Sequence, residues 1–417
     1  MIIQRTKYLN RLISHRNNKR IKIITGIRRC GKSFLLFELF KSYLKKEGVK
    51  ENHIIEIQFD DIKNKEFRDA EKCYEYVKSK IKDAGIYYIF LDEVQMMNNF
   101  EDVLNGFLHI KNADVYVTGS NSKFLSSDIA SKFRGRGNEI RIYPLSFGEY
   151  FSAASSDWEE AWKQYYTYGG LPYILELNNY EEKISYLQNL FQETYLQDII
   201  ERNKIKKTQE LDILIDILAS SAGSLTNPQK LSNTFKSCAG IEISAPAVKN
   251  YCTYLQEAFL IKEAKRYDIK GKQYISTPYK YYFEDIGLRN AKLNFRQQEE
   301  THIMENIIFN ELRFRGFAVD IGIAEVKEKN EDGRYLKKQL EIDFIANQGS
   351  RRYYIQSAFS MPSEEKRNQE ERPLKKIDDS FKKIIVVKDN IMPKRDEKGI
   401  VTMGLKDFLL NPDSLDF

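Results

Sequence analysis

The chain is 417 residues long and carries 66 Lys and Arg against 60 Asp and Glu, a formal net charge of +6. That length exceeds one ordinary domain and points to two or three, and 42% apolar with 30% charged residues fits globular domains with real cores. The charge excess is too mild to demand nucleic acid. No apolar run reaches the roughly eighteen residues of a membrane span, and Cys30, Cys73, Cys238 and Cys252 lack the CxxC spacing of a zinc site or the density of a disulfide framework. The N-terminal stretch MIIQRTKYLNRLISHRNNKR has neither the continuous apolar segment nor the small-residue cleavage site of a signal peptide, so the cytoplasm is the expected address.

IKIIT (21–25) reads as a short, buried, β-branched strand. GIRRCGKS follows, and SFLLFELFKSYLKKEG then repeats apolar residues at helical spacing until Gly48. Gly26, Gly31, Lys32 and Ser33 satisfy G-x-x-x-x-G-K-[ST] in the strand–loop–helix context that the pattern requires. Glycines let the backbone curl so that its N–H groups face an anion, and the helix N-terminus adds partial positive charge. The expected nucleotide-binding segment is Gly26, Ile27, Arg28, Arg29, Cys30, Gly31, Lys32, Ser33 and Phe34. Lys32 is expected to reach the β- and γ-phosphates of ATP and the Ser33 hydroxyl to ligate Mg²⁺. Arg28 and Arg29 are unusually bulky for such a loop and either sense nucleotide or face solvent.

IYYIFLDEVQ (86–95) is an apolar strand ending in Asp92-Glu93, the form of a Walker B segment. Asp92 is expected to join Ser33 in holding the metal and Glu93 to polarise the attacking water; the plainer reading is an acidic turn after a buried strand. Further strands at 54–59, 114–118 and 139–143 alternate with helical stretches, which predicts a parallel sheet with helices on both faces. From Asp157 to Lys206 the pattern is helical. LDILIDILASSAG, PQKLSNTFKSCAG and SAPAVKNYCTYLQEAF then give three short helices, and LIKEAKRYDIKGKQYIST a hairpin, the order of a winged helix-turn-helix. Its third helix starts at a Ser244 cap. Lys249 on that helix and Lys270 and Lys272 on the hairpin are the candidates for touching duplex DNA, against the alternative that the module packs on the ATPase core or a partner protein.

The last third runs as an amphipathic helix (302–317), a strand near 318–327, LEIDFIAN (340–347) and RRYYIQSAF (351–359). This order resembles the restriction-endonuclease-like fold, with Glu305 and Asp343 at its first two carboxylate positions. Where that fold's E-x-K is expected the chain has Gln356 and Ala358, and a neutral amide is a poor substitute for a carboxylate on a hard cation. Active cleavage would need a migrated lysine such as Lys366 or Lys375.

From about residue 1 to 150 the chain resembles an AAA-type P-loop ATPase. TGIRRCGKS, FLDEVQ, VTGSNSKFLS, RGRG and YPLSFGEYF resemble one bacterial and archaeal group that joins such an ATPase to an uncharacterised, nuclease-like C-terminal domain, and this resemblance covers essentially the whole chain. It implies that Asn121, in ADVYVTGSNS, touches the γ-phosphate or the lytic water, and that Pro172, in the GLP element, lies against bound ATP; the plainer reading of Pro172 is a proline ending a helix. Arg134 and Arg136 in FRGRG are the arginine-finger candidates, acting within the chain or from a neighbouring copy, which would require an oligomer. The expectation is therefore an α/β protein with an ATPase core (1–150), a helical lid (151–207), a winged helix (208–285) and a degenerate nuclease-like α/β domain (286–417). Its expected function is an ATP-binding and ATP-hydrolysing switch whose partner is DNA or a protein. Two other readings stand beside it: an ATP-regulated DNA-processing nuclease or motor, and a nucleotide-binding signalling scaffold with little turnover.

Overall fold

β-Branched and aromatic runs flanked by polar turns form the first sheet. The computed structural model describes residues 2–119, 135–329 and 335–417, arranged as two compact units, one comprising the chain up to Pro144 with 257–259 and the other Leu145–Gln256 with Leu260–Phe417. In the first unit, β1 (Ile21–Gly26), β2 (Ile54–Gln58), β3 (Tyr87–Asp92), β4 (Ala113–Gly119) and β5 (Gly137–Ile142) are parallel and lie in the order β2-β3-β4-β1-β5. The helices of this unit are α1 (Thr6–Ser14), α2 (Lys32–Phe34), which continues through a π-helical stretch at Leu35–Phe40 into α3 (Lys41–Lys46), α4 (Ala70–Lys80) and α5 (Phe100–Leu108).

Strand order and handedness decide which face each helix covers. From β1 the chain crosses to the far edge at β2 and then returns through β3 and β4, and right-handed crossovers put helices from opposite directions of travel on opposite faces. Accordingly Ile21, Ile23, Ile55, Ile57, Ile89, Leu91, Val115 and Val117 pack with Cys73 and Val77 of α4 and Phe100, Val103, Leu104 and Phe107 of α5. The alternate residues face the helix that follows β1: Phe40 lies 5.8 Å from Phe90 and 4.8 Å from Tyr116, ring centre to ring centre. Helices on both faces of a parallel sheet are what the sequence pattern predicted.

The second unit begins with helices: α6 (Phe147–Ala153), α7 (Trp158–Tyr168), α8 (Tyr180–Asn189), α9 (Gln197–Asn203), α10 (Thr208–Ser220), α11 (Pro228–Ala239) and α12 (Ala245–Glu257). The hairpin β6 (Ile261–Asp268) and β7 (Gln273–Phe283) follows, then α13 (Ile286–Lys292) and α14 (Glu300–Phe314). β8 (Ala318–Lys329), β9 (Tyr335–Gln348), β10 (Arg351–Ala358), α15 (Glu364–Lys375), β11 (Lys382–Val387), β12 (Lys394–Arg395), β13 (Ile400–Gly404) and α16 (Leu405–Leu410) complete it. One eight-stranded mixed sheet runs β12-β13-β11-β10-β9-β8-β6-β7. The hairpin expected as the wing forms an edge of the C-terminal sheet, joined where Arg266, Tyr267 and Asp268 pair in parallel with Ile321, Gly322 and Ile323.

The first sheet contains a buried ion pair at the end opposite its glycine loop. Lys22 of β1 is fully buried against Asp114 of β4, its Nζ also donates to the Arg20 carbonyl at 2.8 Å, and the Tyr116 hydroxyl donates to Asp114 at 2.8 Å. Burial pushes the Lys22 ammonium below the ordinary lysine range despite Asp114. Removing one partner leaves the other charge buried alone, so Lys22→Met should lower stability by about 3–5 kcal/mol, whereas a double change of Lys22 and Asp114 to apolar residues should cost far less. Urea unfolding of the two variants checks this.

Candidate active site

The loop after β1 owes its path to two glycines. Gly26 has φ 149°, and a Cβ there would lie 2.2 Å from the Ile142 carbonyl oxygen, so only glycine fits between β1 and β5. Gly31 has φ 94° and starts the helix at Lys32. Between them Ile27 and Cys30 are buried, Arg28 is half-buried and Arg29 is exposed with φ 63°. Cys30 is wedged beside the Ile142 carbonyl at 3.8 Å, and burial raises its thiol pKa, so it packs and does not react. Phe34 is partly exposed on the first helical turn.

Lys32 is buried. Its Nζ donates to the carbonyls of Gly26 and Ile27, both at 3.1 Å, so the ammonium is held inside the curl of the loop. Ser33 Oγ donates to Asp92 Oδ1 at 3.0 Å, joining the helix start to the carboxyl end of β3. Thr118, at the end of β4, donates its hydroxyl to the same Asp92 oxygen and accepts the Glu93 N–H at 3.0 Å. Burial pushes the Asp92 carboxyl above the usual carboxylate range, helped by Glu93 and Asp60 and opposed by the Thr118 and Ser33 hydrogen bonds. Glu93 turns the chain off the strand with φ 51°, and its carboxylate accepts a hydrogen bond from the Gln95 side-chain amide.

These groups meet where the sheet favours a ligand. Connections leave the neighbouring strands β1 and β4 in opposite directions, which opens a crevice beyond their carboxyl ends. The donor set there is the Lys32 ammonium, the Ser33 and Thr118 hydroxyls, the buried Asp92 carboxylate and a glycine-shaped backbone curl. That set fits a polyphosphate with a divalent cation: hard oxygen ligands for the metal, and a lysine with helix-start N–H groups for the anion.

The other candidates lie elsewhere. Arg136 is exposed, its carbonyl accepts the Ile21 N–H at 2.9 Å and its guanidinium meets Asn105 at 3.4 Å. It therefore stands at the amino end of β1, about 17 Å from the loop at the rise of a six-residue strand. Asn121 and Arg134 fall outside the described residues. Pro172 begins a short 3-10 turn in the second unit, after a glycine pair that Asp285 anchors by accepting the Gly170 N–H at 2.8 Å. Lys249 is exposed on α12, and Lys270 and Lys272 are exposed at the β6–β7 turn. Glu305 lies on α14 and Asp343 on β9, but Lys366 and Lys375 pair with Glu370 and Glu371 along α15. Thr118 and Gln95 lie within VTGSNSKFLS and FLDEVQ but had no role assigned to them. Thr118 was detectable only as a hydroxyl at the polar end of a buried strand whose neighbour ends in Asp92.

Comparison with known proteins agrees with this geometry. Residues 18–151 match the family model described as an AAA domain, and residues 159–299 one described as a domain of unknown function. An uncharacterised protein of Haemophilus influenzae is 33% identical over 416 residues, 98% of this chain and 99% of that protein. The chain belongs to that protein's family, which carries an AAA domain. An uncharacterised protein of Methanocaldococcus jannaschii is 26% identical over 362 residues, 82% of this chain and 76% of its own. Among solved structures, the Aeropyrum pernix Orc1 protein in complex with DNA covers 70% of this chain and 92% of its own at 12% identity, with a TM-score of 0.33, a likeness too slight to carry an argument. Among the described residues, no helix of this family member is long and apolar enough to cross a membrane.

Asp92 gives the site a distinctive pH signature. Its folded pKa is raised, so its contribution to stability is full below the ordinary aspartate value of 3.8 and is lost as pH rises through the folded value. Asn at this position keeps an acceptor for Ser33 and Thr118 and removes the buried charge. Asp92→Asn should therefore melt at or above the wild-type temperature at neutral pH, with the difference closing below about pH 4. Thermal unfolding across pH reads this, and a lower neutral-pH midpoint in the variant would contradict it.

Proposed function

We propose that this protein binds ATP with Mg²⁺ at the loop after β1, hydrolyses it, and uses the cycle to switch the second unit's hold on a partner. The observation that carries this reading is the contact of Ser33 with Asp92 beside a lysine enclosed by its own glycine loop. Lys32 releases the Gly26 and Ile27 carbonyls and turns to the β- and γ-phosphates. Backbone N–H groups from Ile27 to Ser33 hold phosphate oxygens, and Phe34 borders the same surface. Ser33 and Asp92 hold the metal, whose charge offsets that of the phosphates. Thr118 keeps Asp92 aimed and fixes the Glu93 backbone, so that the Glu93 carboxylate accepts a proton from the attacking water once Gln95 gives it up.

Arg136 supports hydrolysis shared between copies. Its distance from its own loop favours service at a neighbouring chain's γ-phosphate, which makes an oligomer the active form. Asn121 and Pro172 remain in this proposal as the groups facing the γ-phosphate and the bound nucleotide. The exposed lysines of α12 and of the β6–β7 turn favour duplex DNA as the partner over an acidic protein surface, because they lie on the helix and hairpin that would meet a groove and its phosphates.

The test separates binding from chemistry. Lys32→Ala should lose ATP binding. Glu93→Gln should bind ATP as the wild type does and turn it over about 10²–10⁴-fold more slowly, the usual worth of a general base. Undiminished steady-state turnover in Glu93→Gln would overturn the assignment.

A further inference from the structure

A second group of charges lies wholly within the C-terminal unit, independent of the ATP site. Lys280 and Tyr282 come from β7, Glu305 from α14, and Glu341 and Asp343 from β9. Lys280 Nζ lies 2.9 Å from Glu305 Oε1 and 2.8 Å from Glu341 Oε1, and the Tyr282 hydroxyl donates to Glu305 Oε1 at 2.6 Å. Asp343 accepts the Ser357 N–H at 2.7 Å. Lys280 is 5% exposed and Glu305 13%, whereas Glu341 at 30% gives the group an edge in solvent.

Glu305 and Asp343 are the carboxylates that a nuclease-like reading would assign to a metal, and the arrangement does not fit one. The ammonium occupies the point on which Glu305 and Glu341 converge. Among the described residues, no group of three or more acidic, histidine or cysteine side chains is arranged to hold a metal ion. Gln356 and Ala358 bring no charge, and the buried Gln356 Oε1 has no hydrogen-bond partner. Burial alone would lower the Lys280 pKa, but Glu305, Asp343 and Glu341 outweigh it and hold the amine charged. Burial, reinforced by Glu305, pushes the Asp343 carboxyl far above its ordinary range, against the pull of Lys280 and the Ser357 N–H. The group thus satisfies itself with one internal cation.

We propose that Lys280 is a built-in substitute for a metal ion: its ammonium fills a carboxylate site that would otherwise take a divalent cation such as Mg²⁺ or Mn²⁺. A metal entering the native chain must expel a buried ammonium that already has two carboxylate partners. Once the lysine is removed, the same two carboxylates face one vacated point within about 3 Å, close to the 2.0–2.6 Å that such cations require, and water completes the coordination. The lysine comes from the hairpin and its partners from α14 and β9, so the pairing also fastens the hairpin to the C-terminal sheet.

The test uses the full-length chain without nucleotide, and Mn²⁺ as the probe. In thermal unfolding with millimolar Mn²⁺, Lys280→Ala should gain about 3 °C, and electron paramagnetic resonance titration should find one more bound Mn²⁺ than in the wild type. The neutral pair Lys280→Met with Glu305→Gln should fold and gain nothing. If Lys280→Ala folds poorly, its refolding yield reads the same point: recovery with Mn²⁺ but not without it supports the proposal. Absence of any Mn²⁺ effect on Lys280→Ala overturns the proposal, as does Mn²⁺ binding by the wild type that Glu305→Gln abolishes.

Discussion

One hydrogen bond organises the candidate site of the first unit. Ser33, the first hydroxyl of the helix after the glycine loop, donates to Asp92, which stands 59 residues later at the end of a different strand. The contact exists only if β1 and β3 run in the same direction and end at the same level, with β4 between them. Thr118 of that intervening strand completes the arrangement by donating to the same oxygen. The parallel sheet is thus a ruler that brings one residue from each of three separated segments to a single point. A loop with the same glycines on a misregistered sheet would leave Ser33, Asp92 and Thr118 apart.

Buried charge recurs through the molecule, and its treatment differs with its role. Lys22 and Asp114 neutralise one another far from the glycine loop and hold the base of the sheet. Asp285 lies deep in the second unit, where burial raises its pKa to about 6 and the N–H groups of Gly170, Leu288 and Gly287 partly offset that rise. Lys280 is paired twice over. Asp92 receives hydrogen bonds from the Ser33 and Thr118 hydroxyls and is as buried as the others. A buried, hydroxyl-held carboxylate with a raised pKa at the carboxyl ends of parallel strands marks a candidate site.

Much of the first unit was legible in the sequence because its signals are local. Glycine spacing, a β-branched run before it and helical periodicity after it lie within a few turns of chain, and the five strands fall within a residue or two of their expected places. What escaped depended on register and direction. Thr118 gains its role from the alignment of β3 with β4, which no local pattern encodes. Arg136 looked like part of the site by its motif, but its strand begins where β1 begins, so it faces the other end of the sheet. In the C-terminal unit the sequence identified two carboxylates and looked along the following helix for a lysine. It missed Lys280, which reaches Glu305 from a hairpin upstream because β6 joins β8 and carries β7 to α14. The π-helical stretch after the loop has no local signal either; its bulk packs Phe40 onto Phe90 and Tyr116.

The proposed function stands or falls on the Ser33–Asp92 pair acting as a metal seat beside a phosphate-holding loop. Isothermal titration of ATP into the wild type and into Ser33→Ala, each with Mg²⁺ and with chelator, tests it most directly. Magnesium should tighten ATP binding at least about tenfold in the wild type and make little difference in Ser33→Ala, a loss of about 1.4 kcal/mol or more of metal-dependent binding. Equal affinity with and without magnesium in the wild type, or an undiminished magnesium effect in Ser33→Ala, would contradict it.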